Sequence, residues 1–165
     1  MNNTTIGRVF ELRTAAVLAT IGFRSISVFG RAGDNGIDIR ARLLLPKTTE
    51  LAKPTVEQNK HAHAHQSIAV VAQCKHSRVT PANVREMEGV VAAMETNKQT
   101  VPENNTKSSV LCVIASHSGF SPGAFARVRT SRFPMLLVHL LPDDSHSLVL
   151  NHAALLRWRG LSAAT

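Results

Sequence analysis

Acidic residues, aromatic rings, cysteines and long apolar runs are all scarce in this 165-residue chain. Aromatics make up only 4% of it. Its core must therefore be aliphatic, and a platform that stacks single-stranded bases on exposed rings is disfavoured. No uninterrupted apolar run approaches the roughly 18 residues that cross a bilayer, so a soluble chain is expected. The two cysteines, Cys74 and Cys112, lie inside apolar, strand-like runs. They read as reduced core residues, not as a disulfide framework, which suits a reducing interior compartment. Acidic residues number 11 against 19 Lys and Arg, for a net charge of +8 and a pI near 10.5. Beyond Thr106 the only acids are Asp143 and Asp144, opposed by Lys107, Arg127, Arg129, Arg132, Arg157 and Arg159. A basic chain of this size suits a polyanion, nucleic acid first and an acidic membrane surface second.

What is present is enough for one domain. Apolar residues reach 44%, sufficient for a single core over this length. The segment from Ile6 to Arg31 carries four arginines against Glu11, the composition of an organelle transit peptide. The same stretch also reads as folded elements, and a targeting segment upstream of residue 1 stays open.

Ile6, Val9, Phe10, Val17 and Ile21 recur at helical spacing behind Thr4 or Thr5, and Gly22 ends that helix. Ser25 to Phe29 alternates as a short strand before a glycine-rich turn. Ile37 to Leu45 follows as a strand, with Ile37, Ile39, Ala41 and Leu43 on one face and Asp38, Arg40 and Arg42 on the other. A polar stretch of about 46–66 reads as a loop insertion, and Ile68 to Lys75 as a buried strand. Thr80-Pro81 opens a helix with the stripe Val84, Met87, Val91 and Met94. A second polar loop spans about 97–109. Then come a strand from Val110 to Ala115, a helix opened by Ser121-Pro122, a strand from Met135 to Leu141 and a closing helix from Ala153 to Trp158. This order, α-β-β-β-α-β-α-β-α, predicts an α/β sandwich around one mixed sheet within a single domain, residues 1–165.

Two features carry chemistry. Gln73 and Lys75 end an otherwise apolar strand and project from one face, either as functional groups or simply because the strand meets water there. Asp38 follows a glycine-rich turn between Ile37 and Ile39, where a carboxylate needs a partner. An Asp on one strand, with an oxygen donor two residues before a Lys on the next, is what metal-assisted phosphodiester hydrolysis requires. In that reading Asp38, the Gln73 side-chain oxygen and the Cys74 backbone carbonyl grip a divalent cation. Lys75 then orients or deprotonates water, or stabilises charge developing on the phosphate.

Gly36-Ile-Asp38-Ile followed by Gln73-Cys-Lys75 resembles the PD-(D/E)xK pattern. It is most similar to the Mrr-type restriction endonucleases, whose second motif has Gln in the acidic position. Gly7-x-x-Phe10-Glu11, Gly22-Phe23, Gly33-Asp34-Asn35-Gly36 and Ser116-His-Ser-Gly119-Phe120-Ser121 resemble the same family. Pro81-x-x-Val84-Arg85-Glu86-Met87-Glu88-Gly89 resembles fungal mitochondrial proteins of the required-for-respiratory-growth type within it. The resemblance spans roughly residues 5 to 160. It implies a restriction-endonuclease-like three-layer sandwich, a central mixed β-sheet flanked by helices. It further implies a DNA endonuclease using Mg²⁺ or Mn²⁺ in the mitochondrial matrix, with Glu11 as an additional acid near the metal, the alternative being a surface glutamate paired with Arg8 or Arg13.

A neutral Gln73 lowers the charge of such a site, so a catalytically inactive nucleic-acid-binding module of the same fold stands as the alternative. A basic scaffold in a mitochondrial nucleic-acid complex is a third reading. Arg31, Ser77-Arg78, Lys98 and the helix start at Ser121 are candidate phosphate contacts. Glu86 and Glu88 sit next to the core stripe of the second helix; Glu88 is within reach of the site, but a solvated helix face is the reading favoured for it. His61, His63 and His65 alternate in the first polar loop, a weak zinc pattern. Leu136, Leu137, Val138, Leu140 and Leu141 leave the late strand without a polar face, which raises the possibility of a homodimer cutting opposite strands.

Overall fold

The computed structural model describes residues 3–29, 36–46, 65–98 and 110–157. Helix α1 (Asn3–Thr20) leads into β1 (Phe23–Val28), β2 (Ile39–Pro46) and β3 (His65–Lys75). Helix α2 (Pro81–Lys98), β4 (Val110–Ser116), α3 (Pro122–Thr130), β5 (Met135–Leu140), β6 (His146–Leu150) and α4 (His152–Arg157) complete the order. The six strands form one sheet in chain order, antiparallel across β1-β2-β3, parallel across β3-β4-β5, and antiparallel again at β5-β6. The sheet is mixed because the parallel pairs β3-β4 and β4-β5 are crossed by α2 and α3, while a short turn joins the antiparallel pair β5-β6.

Each face of the sheet has its own core. On one side Phe10 and Leu18 of α1 and Ala154 of α4 share a core with Ile39, Ala41, Leu43, Ile68, Val70, Ala72, Leu136, Val138 and Leu140 of the sheet. On the other, Val84, Met87 and Val91 of α2 and Ala124 and Val128 of α3 pack on Val71, Cys112, Ile114 and Leu137. This is the three-layer α/β sandwich expected from the sequence, and the α2 stripe is the one its spacing predicts.

Three expectations change. The buried line of α1 is Phe10, Thr14 and Leu18, spaced by four, whereas Val9 is 47% exposed. Ile37 does not share the face of Ile39; it packs in the α2-side core. Regular pairing begins only at Ile39, so residues 36–38 lie outside the pleat that enforces a period of two. A strand was also missed: β6 is five residues with an exposed, alternating outer half, joined to β5 by a turn. In that turn Asp143 Oδ1 accepts from Ser145 N and Oγ, which holds its carboxyl below its usual range.

Pro46 pairs with His65 and α2 extends to Lys98, so strand and helix reach the edges of the two stretches read as polar loops, whose residues 47–64 and 99–109 lie outside the described residues. The all-apolar β5 needs no second copy: Leu136, Leu137, Val138 and Leu140 are buried by the chain's own layers. No helix among the described residues is long and apolar enough to cross a membrane.

Candidate active site

β2 and β3 are neighbours, and their paired ends bring Asp38 beside the Gln73-Cys74-Lys75 segment. Asp38 N donates to Ala72 O (2.9 Å) and Asp38 O accepts from Phe29 N (2.7 Å), so its backbone is stitched to β3 and to the end of β1. Its carboxylate Oδ2 accepts from Cys74 N at 2.6 Å. N–H and C=O of one strand residue leave on the same edge, so the Cys74 carbonyl also faces the Asp38 side.

Gln73 and Lys75 project from the α2 face, in line with buried Val71. Gln73 is 2% exposed and its Oε1 has no hydrogen-bond partner among the described residues. A buried amide oxygen left so costs about 1–3 kcal/mol, and a donor or a cation removes that cost. Gly36, at φ +75°, stands over this amide: a Cβ there would lie 2.8 Å from Gln73 Nε2 and 3.0 Å from Glu86 Oε1. Only a residue without a side chain fits against these two groups. Lys75 Nζ lies 3.7 Å from Glu86 Oε2.

Oxygen donors from a carboxylate, an amide and a backbone carbonyl form a hard set, suited to Mg²⁺ or Mn²⁺ and not to zinc. Among the described residues no three His, Cys, Asp or Glu side chains come together as ligands. A cation here would therefore depend on the amide and carbonyl oxygens. The zinc pattern cannot be followed, since His61, His63 and the His65 side chain lie outside the described residues.

Glu11 approaches the same strand end from the opposite face. It pairs with Arg8 at 3.0 Å, and Arg8 reaches Phe29 O at 3.5 Å. The Cys74 thiol is pushed up to about 12 by burial, offset in part by Thr14, with Asp38 and Glu11 adding negative charge nearby. Burial likewise raises Cys112 to about 12. Both are free cysteines held as thiols, as the sequence suggests.

Glu88 does not reach the site. Its Oε1 accepts from Ser131 Oγ (2.6 Å), and its Oε2 takes Nε (2.9 Å) and Nη2 of Arg127. Glu86, two residues earlier, faces the strand end instead. Sequence spacing cannot make this distinction, because the two glutamates flank the buried stripe on opposite sides, about 200° apart.

Of the candidate phosphate contacts, Ser77 and Arg78 are exposed just beyond Lys75; Arg78 makes one long bond, 3.4 Å, to Phe120 O. The Ser121 hydroxyl is occupied as the N-cap of α3, accepting from Ala124 N at 3.1 Å. Arg31 and the Lys98 side chain lie outside the described residues.

The Ser116-to-Ser121 motif has a structural explanation. Ser116 Oγ donates to Gly119 O at 2.8 Å and lies 3.1 Å from Ser77 O, and Ser118 Oγ donates to His76 O. The loops leaving β3 and β4 are thereby clamped together. His76 and His117 stack at 4.7 Å, with the Phe10 ring edge-on to both.

The sequence matches the family described as Required for respiratory growth protein 7 over residues 2–160. Among solved structures the chain is similar to the MspJI restriction endonuclease in complex with a 27-mer oligonucleotide, at TM-score 0.50 and 20% identity. The likeness covers 78% of this chain and 24% of that one, so the chain spans about a quarter of its neighbour's length. At that identity the likeness establishes the fold, which is restriction-endonuclease-like. No curated protein matches the sequence. The family match runs over nearly the whole chain, and the protein belongs to the required for respiratory growth protein 7 family.

Proposed function

We propose that the protein is a metal-dependent DNA endonuclease of the Mrr-type PD-(D/E)xK group, acting on DNA in the mitochondrial matrix. The observation that carries this reading is the meeting of Asp38 with the Gln73-Cys74-Lys75 strand end, where a buried amide oxygen lacks a partner among the described residues. The family's name, with its tie to respiratory growth, supports the compartment. The oligonucleotide bound to the structural neighbour supports DNA as the ligand.

In this reading Asp38, Gln73 Oε1 and the Cys74 carbonyl hold Mg²⁺ or Mn²⁺, with Glu11 completing the charge from the α1 side. The cation supplies Lewis-acid polarisation of the phosphate. Asp38 is positioned by the Cys74 N–H. Gln73 is held at the strand end by burial. Lys75, part-exposed at the strand end, holds a water near the phosphorus or stabilises the charge that builds on the phosphate oxygens. Ser77 and Arg78 contact the backbone beyond the reacting phosphate.

Incubation with plasmid, linear and branched DNA in Mg²⁺, Mn²⁺ or EDTA tests the reading. Cleavage with either metal and none in EDTA is the expected result. Binding without cleavage under every condition would favour the inactive nucleic-acid-binding module, the reading that the neutral Gln73 supports. For assembly we propose a homodimer, because one small site hydrolyses one strand per visit. Exposed Val149, Leu155 and Leu156 offer apolar surface for it. Sedimentation at micromolar concentration should give two copies, and a monomer that only nicks plasmid contradicts this.

A further inference from the structure

We propose that a cavity at the C-terminal ends of β4 and β5 takes one unpaired nucleobase of the bound DNA strand. The inference rests on DNA as the ligand in the reading above and narrows the substrate to DNA with an unpaired nucleotide beside the cut.

The register of the sheet sets where the cavity stands. Lys75 of β3 pairs with Ser116 of β4, and Ser116 pairs with His139 of β5. Lys75 follows Val71 and Gln73 on the α2 face, and His139 follows Leu137 on that same face. His139 therefore lies two strands from Lys75, about 10 Å across the sheet. A cavity of about 280 Å³ opens there, lined by His139, Arg78, Phe120, Phe125, Leu137 and Ser147 among others. Arg78 belongs to the loop that leaves Lys75, so one cation borders both the strand end and the cavity.

The lining suits a base. Phe125 is 42% exposed although its neighbour Ala124 is buried, and its ring lies 5.6 Å from that of Phe120. Stacking one base on an aromatic side chain tightens binding by about tenfold or more. His139 adds direction. Its Nε2 lies 3.2 Å from His117 O. A carbonyl only accepts, so Nε2 carries the hydrogen and the neutral ring keeps Nδ1 as an acceptor. Gly119, at φ +77°, packs against this ring, where a Cβ would lie 3.3 Å from Cε1. Phe120 meets the imidazole edge-on at 6.4 Å. An acceptor beside two rings, with an arginine at the rim, fits the amino or imino edge of a base whose phosphate stays outside.

Size argues against larger occupants. Pockets for drug-sized ligands run roughly 300–1,000 Å³, and a helix or folded peptide needs more room than this cavity holds. One pocket with two rings is not a stacking platform, so the scarcity of aromatics is no obstacle.

Equilibrium binding of the full chain in Ca²⁺ tests this with two probes. One is a duplex with a single unpaired thymidine, and the other carries an abasic residue in its place. Both have the same phosphates, so the salt-dependent part of binding cancels between them. The unpaired base should tighten binding over the abasic probe by about tenfold or more. Phe125→Ala should bring that ratio below about twofold. Leu12→Ala, which trims an exposed apolar residue on α1, should leave it as in wild type.

Equal affinity for the two probes would overturn the proposal, and so would a preference that survives Phe125→Ala. Photocrosslinking gives a check on the unaltered protein, with 5-iodouracil at the unpaired position and adducts mapped by mass spectrometry. Adducts at Phe120, Phe125 or His139 are expected, and their absence there overturns the proposal. Metal-dependent cleavage without a base preference overturns this inference alone. A base preference without cleavage supports it while sinking the hydrolytic reading. A chain that binds no DNA overturns both.

Discussion

Glu86 and Glu88 stand two residues apart on α2 and meet opposite surroundings. Glu88 lies in the seam between α2 and α3, 8% exposed, with Arg127 and Ser131 satisfying both carboxylate oxygens. Glu86 lies at the open end of β3, half in solvent, facing Lys75 at 3.7 Å and packed against Gly36. The ingredients are alike in the two regions: an acid, a base and a neutral polar group. The seam closes its own hydrogen bonds and so contributes stability. At the strand end a buried amide oxygen has no partner among the described residues, and that shortfall is what a ligand can fill.

The largest expected effect on stability comes from the seam. Glu88→Ala should destabilise the protein by about 2–3 kcal/mol, because Ser131 and Arg127 lose a charged, mostly desolvated partner. Urea denaturation measures this, and Glu86→Ala should shift the same curve by less than about 0.5 kcal/mol. Equal losses would erase the distinction between the two regions. Gly36→Ala comes next, at about 1–2 kcal/mol, since an alanine at φ +75° is strained and its methyl group meets the Gln73 amide. Mn²⁺ affinity should fall in that variant by more than its stability loss alone explains, and titration of folded protein well below its melting point tests this.

The smallest effect concerns two arginines. Arg127 is engaged with Glu88, whereas Arg78 has one long bond to a carbonyl. Arg78→Ala should lower the slope of log K against log salt for DNA binding by about one, and Arg127→Ala should leave it unchanged. Fluorescence anisotropy across a salt series reads both.

Much of this was legible in the sequence. The spacing of Val84, Met87 and Val91 announced α2, and the apolar run ending in Gln73 and Lys75 announced the buried strand β3. Asp38 was visible because a carboxylate between two isoleucines is costly without a partner. The difference between Glu86 and Glu88 was not legible. Both flank the same stripe, and which flank meets β3 depends on how α2 is set against the sheet. β6 was missed because a five-residue edge strand with one solvated face carries little periodic signal. Ile37 misled because a strand's period of two holds only within the pleat, and the pleat starts at Ile39.

The central claim is that the strand end performs hydrolysis and does not merely hold nucleic acid. Lys75→Ala separates these, because Lys75 would act in the chemical step while affinity is spread over many basic groups. Single-turnover cleavage and anisotropy should be measured on the same DNA, in Mn²⁺ for cleavage and in Ca²⁺ for binding. The account predicts a loss of cleavage of about 100-fold or more, with binding within about threefold of wild type. Equal losses of binding and cleavage, or cleavage that survives the substitution, would contradict it.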